Sequence, residues 1–311
     1  GRVGGAWEMT ELTASPSPEL VSSGYAQCQA ITKAHGTTYF WGAAILPVEQ
    51  RQHVFALYAL ARLADDIVDA DDDATSPTNI AATTARLDAF EDRFYQAITE
   101  GVRTDDAVMA AVRTSVSGLG LPREHFERFF GAMRQDLTVT SYRTWDDLLG
   151  YMDGSAAVIG EMMVPVLQAD PSGALEPARQ LGVAFQVTNF LRDIGEDLDR
   201  GRVYMPEEDL DRFGIDINAR VVDESWRAFM RFQISRNRDI YVLSEPGLAM
   251  MPRSSARTVA TAKVLYAQIL DRIEARDYDV FNDRARVPTA VKALTALRGL
   301  ASRKPATWGA S

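Results

Sequence analysis

The stretch GVAFQVTNFLRDIGEDLDRGRVYMP, residues 182–206, places polar side chains along one face of an otherwise apolar helix. Amide and carboxylate side chains recur in it at intervals of three, four and four residues: Gln186, Asn189, Asp193 and Asp197. Residues at such intervals lie on the same face of an α-helix. The apolar residues between them predict a buried helix, where a carboxylate without a partner is costly. The pattern therefore indicates a bound cation rather than a solvated surface.

A second acidic stretch, FALYALARLADDIVDADDD at 55–73, has the same character. Asp65 and Asp69 lie one helical turn apart, and Arg62 and Tyr58 precede Asp65 on that face. Like charges this close raise the pKa of at least one carboxyl unless a cation is present. Two such helices facing each other can bind Mg²⁺ through oxygen ligands, and an arginine beside them is suited to clamp a phosphate. The following Asp71 to Asp73 are interpreted as a solvated loop.

This combination suits the departure of a diphosphate group. Metal ions and arginines neutralise the leaving group as the carbon–oxygen bond breaks, which leaves an allylic carbocation. An apolar pocket must then exclude water from the cation, and aromatic rings can stabilise it through their π faces. Candidate pocket aromatics are Tyr39, Phe40, Trp41, Phe55, Phe185 and Phe190, although residues at helical spacing are more often part of the core.

The rest of the chain carries a helical pattern with no convincing strand. Apolar residues at three and four spacing predict helices over 50–69, 83–100, 105–118, 124–137, 145–168, 176–198, 219–242 and 254–279. Pro- and Gly-containing stretches near 76–77, 118–122, 170–173 and 244–247 are expected to stop helices. We predict an all-α protein, a single large helical bundle enclosing a central cavity. The expected organisation is a loosely ordered leader or expression remnant over 1–24, one domain over 25–300 and a tail over 301–311.

Composition excludes several other classes of function. The chain has 311 residues, 33 of them basic and 43 acidic, with a formal net charge of -10 and no long basic block. Nucleic acid is therefore an unexpected partner. The single cysteine, Cys28, rules out an intrachain disulfide and a multi-thiolate metal site. Neither a GxGxxG fingerprint nor a GxxxxGK[ST] loop occurs, so no nucleotide cofactor is predicted.

At this point the sequence resembles the head-to-head prenyl synthases, the family of phytoene, squalene and dehydrosqualene synthases, over roughly residues 25 to 300. The resemblance rests on the two acidic motifs and several shorter ones. These are HGTTYF at 35–40, LPVEQR at 46–51, YALARLADDIVD at 58–69, Asp136-Leu137, YMDGSAAVIG at 151–160 and QVTNFLRDIGEDLDRGRVYMP at 186–206.

The resemblance implies a role for individual residues. It assigns Mg²⁺ binding, with Mn²⁺ as a possible substitute, to Asp65, Asp69, Asn189, Asp193 and Asp197. It assigns contacts with the prenyl diphosphate to His35, Thr38, Tyr58, Arg62, Gln186, Arg192 and Tyr266, with Arg202 and Tyr204 as further candidates from an RxY element. Asp65, Asp69, Asp193, Asp197, Arg62 and Tyr58 are the residues expected to carry the reaction.

The family reaction joins two identical prenyl diphosphates through a cyclopropylcarbinyl diphosphate, which ionises and rearranges. The resemblance favours phytoene synthesis from C20 geranylgeranyl diphosphate. The alternatives are squalene or dehydrosqualene synthesis from C15 farnesyl diphosphate, a terpene cyclase acting on one prenyl diphosphate, and a non-catalytic scaffold of the same fold. Because a C40 product is insoluble in water, we expect a cytoplasmic enzyme that contacts the inner face of the membrane peripherally to release it.

Two positions depart from the family pattern. Asp153 stands where relatives often have a second aromatic residue, and Asp283 stands where an arginine is frequent. Arg284 or Arg286 is expected to replace that arginine in binding the second substrate.

Overall fold

The computed structural model describes residues 15–70 and 77–282 together with 288 and 295, apart from the side chains of 37–39. In this part of the chain the regular elements are helical, and the only β-type pairing is an isolated bridge between Ser141 and Val203. The predicted all-α class is confirmed. The α-helices are α1 (Pro18–His35), α2 (Thr37–Ala43), α3 (Val48–Val68), α4 (Pro77–Ile98), α5 (Ala107–Leu119), α6 (Arg123–Gln135), α7 (Trp145–Met152), α8 (Val158–Val166), α9 (Pro171–Asp199), α10 (Glu207–Phe213), α11 (Glu224–Leu243) and α12 (Arg253–Ala275). A π-helical turn, Asp153–Ala157, joins α7 to α8, and 3₁₀ turns span Ile217–Ala219 and Glu245–Met250.

Helix α1 differs from the expected loosely ordered leader at residues 18–24. The helix begins at Pro18, and the Ser17 side chain accepts a hydrogen bond from the Leu20 amide at 3.2 Å. Serine at the cap followed by proline in the first turn is a favourable way to begin a helix. Helix α1 then packs closely on α5, because a Cβ at Gly24 would overlap the Ala107 carbonyl. The Ser- and Pro-rich composition was therefore a helix start for residues 18–24 rather than a loose segment.

Other differences arise at helix boundaries. Pro77 and Pro171, expected among helix stops, are the first residues of α4 and α9. The predicted helix over 145–168 is interrupted by the π-helical turn. That turn passes close to α6, because a Cβ at Gly154 would lie 2.3 Å from the Arg128 carbonyl oxygen. The short helix α10, which has only seven residues, was not predicted.

Two apolar clusters form most of the core. One is built around α3 with side chains from α1, α4, α5, α6 and α8, and includes the buried Cys28. The other is built around α9 with side chains from α7, α10, α11 and α12. The two long acidic helices thus each run through a separate half of the core. Within the described residues, no helix combines the length and the hydropathy needed to cross a bilayer.

Candidate active site

On helix α3 the predicted residues form a compact group. The Arg62 guanidinium donates to Asp65 Oδ2 at 3.1 Å and also pairs with Asp66. Burial and the nearby Asp69 carboxylate raise the pKa of Asp65 to about 6. The ring of Tyr58 fills the space beside Gly36, since a Cβ there would overlap it. The end of α1 is therefore brought against Tyr58 of α3.

On helix α9 the polar stripe extends from the apolar interior to the charged end of the helix. Gln186 lines a cavity, and Asp193 accepts two hydrogen bonds from Arg192, at 2.7 and 2.6 Å. One turn further, burial and the Asp193 carboxylate raise the pKa of Asp197 to about 7. Burial is the larger cause of this rise, and the neighbouring carboxylate adds the effect of close like charges that the sequence predicted.

Arginines join the ends of the two acidic helices. Asp69, the residue that caps α3, accepts from Arg200 Nη1 at 2.8 Å and from Arg202 Nη1 at 3.0 Å. Both arginines follow α9 in the chain. The structure thus brings the first and second acidic motifs to the same site.

Asp136 is a central residue of this site that the sequence argument did not assign. Its carboxylate is buried and accepts hydrogen bonds from the Tyr151 hydroxyl at 2.9 Å and the Tyr204 hydroxyl at 3.2 Å. Burial raises the pKa of Asp136 to about 7. Arg202 Nη2 contacts the Asp136 carbonyl at 3.4 Å. Asp136 appeared in the sequence only as part of a two-residue motif, and its link to Tyr151 and Tyr204 comes from tertiary packing.

A largely apolar cavity adjoins the inner end of the α9 stripe. It lies between α2, α3, α8, α9, α12, the π-helical turn and the second 3₁₀ turn. Phe185 lines it and stacks on Tyr266, with ring centroids 4.1 Å apart. Most of the lining residues are Ala, Val, Leu, Ile, Met and Gly, which favours an extended hydrocarbon as the occupant.

The other candidate pocket aromatics lie elsewhere. Phe40 stacks on Phe55 at 5.8 Å within the α3 core, and Phe190 stacks on Tyr204 at 4.1 Å. Trp41 does not line the cavity among the described residues, and the side chain of Tyr39 lies outside them. Apolar spacing marks burial but does not separate a core face from a cavity wall, and of the described candidates Phe185 is the one that lines this cavity.

The unusual Asp153 is explained by ion pairs. Its carboxylate accepts from Arg128 Nη2 and from Arg179 Nη2, both at 2.8 Å. Both arginines also pair with Glu161, which His125 contacts as well. We refer to Arg128, Asp153, Glu161 and Arg179 as the ion-pair cluster. An acidic residue at position 153 thus serves to join the π-helical turn to α6 and α9.

Several predictions are not decided by these contacts. His35 is the exposed last residue of α1, and Asn189 is half-buried between Gln186 and Asp193. The side chain of Thr38, the loop Asp71 to Asp73, Asp283, Arg284 and Arg286 lie outside the described residues.

The predicted metal ligands offer the oxygen atoms that a divalent cation needs, but they are not already positioned around a common point. No group of three acidic, histidine or cysteine side chains in the described part of the chain is positioned to hold an ion. Arginines pair with Asp65, Asp69 and Asp193 instead. Burial, with the neighbouring carboxylates, raises the pKa of Asp65 and of Asp197, and a bound divalent cation would favour their charged forms. An all-oxygen donor set fits Mg²⁺ or Mn²⁺.

The protein has the isoprenoid synthase class of fold: a helical bundle with two acidic helices and an adjoining apolar cavity. A family model described as squalene/phytoene synthase matches residues 32–290. The chain belongs to the squalene/phytoene synthase family, as the motifs predicted.

Individual relatives agree with this assignment. The chain is 36% identical over 295 residues to a 15-cis-phytoene synthase from Synechococcus elongatus, covering 89% of this chain and 93% of the relative. It is 36% identical over 300 residues to a phytoene synthase from Arthrospira platensis, covering 90% and 94%. The crystal structure of the squalene synthase HpnC from Alicyclobacillus acidocaldarius superimposes with a TM-score of 0.73 at 26% identity, covering 85% and 97%. A dehydrosqualene synthase structure shares the fold with a TM-score of 0.78 at 24% identity, covering 90% and 96%.

Proposed function

We propose that this chain condenses two molecules of geranylgeranyl diphosphate head to head into phytoene, through a cyclopropylcarbinyl diphosphate, in carotenoid biosynthesis. The observation that carries the proposal is the polar stripe of α9. It begins at the cavity wall with Gln186 and ends with Asp197 near the arginines that join α3 to α9. A prenyl diphosphate has the same polarity, with an apolar chain and a highly charged end.

The metal ligands of the proposal are the oxygen-bearing residues of the two motifs: Asp65, Asp69, Asn189, Asp193 and Asp197. Bound Mg²⁺, or Mn²⁺ in its place, would supply positive charge that stabilises the departing diphosphate. The residues required for this lie on α3 and α9, whose ends are already joined through Asp69.

The protein's own cations and apolar surfaces supply the rest. Arg62, Arg192 and Arg202 lie beside the carboxylates and can donate to diphosphate oxygens. The cavity keeps water from the carbocation that forms when the carbon–oxygen bond breaks. Phe185, which lines the cavity and stacks on Tyr266, would offer its π face to that cation. His35, Thr38, Tyr58, Gln186 and Tyr204 remain proposed contacts of the substrate.

The similarity to phytoene synthases supports a C20 rather than a C15 substrate in this proposal. The wall of the cavity follows α9 from Ala174 to Gln186, and its apolar lining suits the hydrocarbon part of a prenyl diphosphate.

A peripheral contact of this enzyme with the inner face of the membrane is part of the proposal. Leu175, Leu243 and Met250 are exposed by 43%, 59% and 39%, and each is a chain neighbour of a residue that lines the cavity. Exposed apolar side chains around a hydrocarbon-binding cavity suit the transfer of product into lipid. Flotation of the purified chain with anionic and neutral liposomes tests this contact, and failure to float with either would contradict it.

The test of function is incubation of the purified chain with Mg²⁺ and either farnesyl or geranylgeranyl diphosphate, with and without NADPH, followed by mass analysis of the extract. We expect phytoene from geranylgeranyl diphosphate without NADPH, and no product in a matched sample treated with EDTA. A C30 product from farnesyl diphosphate would instead assign the squalene or dehydrosqualene reaction. A cyclised monomer would assign a terpene cyclase, and the absence of product with either substrate would favour a non-catalytic scaffold.

A further inference from the structure

Arg200 links the two acidic motifs, although neither motif assigned it a role. It is the residue that caps the C-terminal end of α9, three positions after Asp197. Its guanidinium crosses to the end of α3, where Nη1 donates to Asp69 Oδ2 at 2.8 Å. The Arg200 side chain is 55% exposed. A long, exposed side chain of this kind can change partner without disturbing the core.

The second oxygen of Asp69 is held differently. It accepts from Arg202 Nη1 at 3.0 Å, and the side chain of Arg202 is only 11% exposed. Arg202 also contacts the Asp136 carbonyl. Both oxygens of one predicted metal ligand are therefore paired with guanidinium groups, one of them held by its surroundings and the other facing solvent.

A divalent cation that approaches Asp69 meets these two positive charges. Of the two arginines, Arg200 is the one that can leave, because its side chain is the more exposed. A diphosphate arriving with the cation offers the departing guanidinium several charged oxygens, and a planar guanidinium can bind two of them at once.

We propose that Arg200 is a substrate-positioning residue that pairs with Asp69 in the metal-free chain and transfers to the diphosphate when metal and diphosphate bind together. This inference rests on the proposed function, because it takes Asp69 as a metal ligand and a prenyl diphosphate as the substrate. Its consequence is cooperative binding, since Arg200 opposes the metal alone and favours metal and diphosphate together. Such coupling is reciprocal between the two ligands.

The test measures Mn²⁺ binding by electron paramagnetic resonance, with and without inorganic pyrophosphate, in the wild type, Arg200→Gln and a control. The matched control is Arg220→Gln, because Arg220 is also a half-exposed arginine and pairs with Asp199 outside the predicted ligands. We expect Arg200→Gln to bind Mn²⁺ alone several-fold more tightly than the wild type. The enhancement of Mn²⁺ binding by pyrophosphate should fall by about tenfold. Arg220→Gln should behave as the wild type does.

Two results would overturn the role of Arg200 while leaving the proposed function in place. One is an Arg200→Gln chain with wild-type Mn²⁺ affinity and wild-type pyrophosphate enhancement. The other is weaker binding of Mn²⁺ alone with an unchanged thermal melt, which would make Arg200 a supporting residue of the ligands. A wild-type chain that binds no Mn²⁺ even with pyrophosphate would instead contradict the proposed metal site, and the inference with it. Arg200→Lys adds a check, because lysine keeps the positive charge but lacks the planar guanidinium. This variant should bind Mn²⁺ alone as weakly as the wild type does, but pyrophosphate should enhance its Mn²⁺ binding less.

Discussion

The acidic site and the ion-pair cluster both combine carboxylates with arginines, and the pKa shifts resolved for their carboxyls have opposite directions. At the acidic site, burial raises the pKa of Asp65 to about 6 and that of Asp197 to about 7. In the ion-pair cluster, burial acts in the same direction, but hydrogen bonds from Arg128 and Arg179 hold the pKa of Asp153 and of Glu161 below the ordinary value.

The difference follows from the balance of charge. The ion-pair cluster has two carboxylates and two arginines, which satisfy one another. The acidic site has six aspartates and four arginines: Asp65, Asp66, Asp69, Asp136, Asp193 and Asp197 with Arg62, Arg192, Arg200 and Arg202. A neutral cluster stabilises the fold by itself, whereas an excess of negative charge needs a further cation. The comparison therefore distinguishes an ion cluster whose charges balance from one whose net charge favours the cation of the proposed function.

The largest expected effect concerns activity at the acidic site. Asp197→Asn should reduce product formation by about 10²- to 10³-fold, because it removes a charge expected to help stabilise the leaving diphosphate. The metal-free variant should unfold at no lower denaturant concentration than the wild type, since the raised pKa of Asp197 shows that its charge is unfavourable in the fold. Product assays and urea denaturation measure the two effects.

The matched control is Asp199→Asn. Asp199 lies two residues beyond Asp197, is 67% exposed and pairs with Arg220. The Asp199→Asn substitution should leave product formation within about twofold of the wild type, because exposed ion pairs contribute little to stability. Equal losses of activity in the two variants would contradict the distinction between site and surface charge.

Substitutions in the ion-pair cluster should mainly reduce the stability of the fold, in contrast to Asp197→Asn. Arg128→Met leaves Asp153 and the 6% exposed Glu161 with Arg179 as their remaining cluster arginine. Removing one partner of a buried pair should lower the free energy of unfolding by about 3 kcal/mol. Arg231→Met, which removes a 48% exposed arginine paired with Glu224, should change it by less than about 0.5 kcal/mol in a urea titration. A loss as small in Arg128→Met would show that the cluster does not stabilise the fold.

Stabilisation of the chain by ligand binding should depend on the acidic site and not on the ion-pair cluster. At concentrations about a hundredfold above the dissociation constant, Mg²⁺ with pyrophosphate should add about 2.7 kcal/mol to the free energy of unfolding. Thermal melts of the wild type and of Arg128→Met should rise by similar amounts, while that of Asp197→Asn should rise less. A full shift in Asp197→Asn would exclude Asp197 from the metal ligands.

The smallest effect is on the pH dependence of stability, measured in EDTA. Because the folded pKa of Asp153 lies below its unfolded value, its contribution is present at neutral pH and is lost as the pH falls through the folded pKa. The stability difference between wild type and Asp153→Asn should therefore shrink on acidification from pH 7 to pH 3. Asp197 has a raised pKa, so its ionisation destabilises the metal-free fold progressively between pH 4 and pH 7. The wild type should lose stability relative to Asp197→Asn over that range, and parallel pH profiles for the two variants would contradict the comparison.

Much of the site could be predicted because its residues are close in sequence. Asp65 and Asp69 on α3, and Gln186, Asn189, Asp193 and Asp197 on α9, are related by helical spacing alone. Helical periodicity also gave the fold class and most helices. The start of α1 was missed because Ser17 and Pro18 belong equally to loops and to helix caps.

Contacts between distant segments could not be predicted in the same way. Asp136 is separated along the chain from its partners Tyr151 and Tyr204 by 15 and 68 positions. Asp69 is separated from Arg200 and Arg202 by 131 and 133 positions. The same is true of Asp153, which is unexplained in the sequence until Arg128 and Arg179 are placed beside it.

The sequence by itself determined the helices, the two acidic faces and the family, because helical period and motif spacing are local properties of the chain. Tertiary structure decided which charges neutralise one another, which aromatic ring lines the cavity and which arginine faces solvent beside the proposed metal ligands. These depend on burial and on distances between side chains far apart in the chain, which no local pattern encodes.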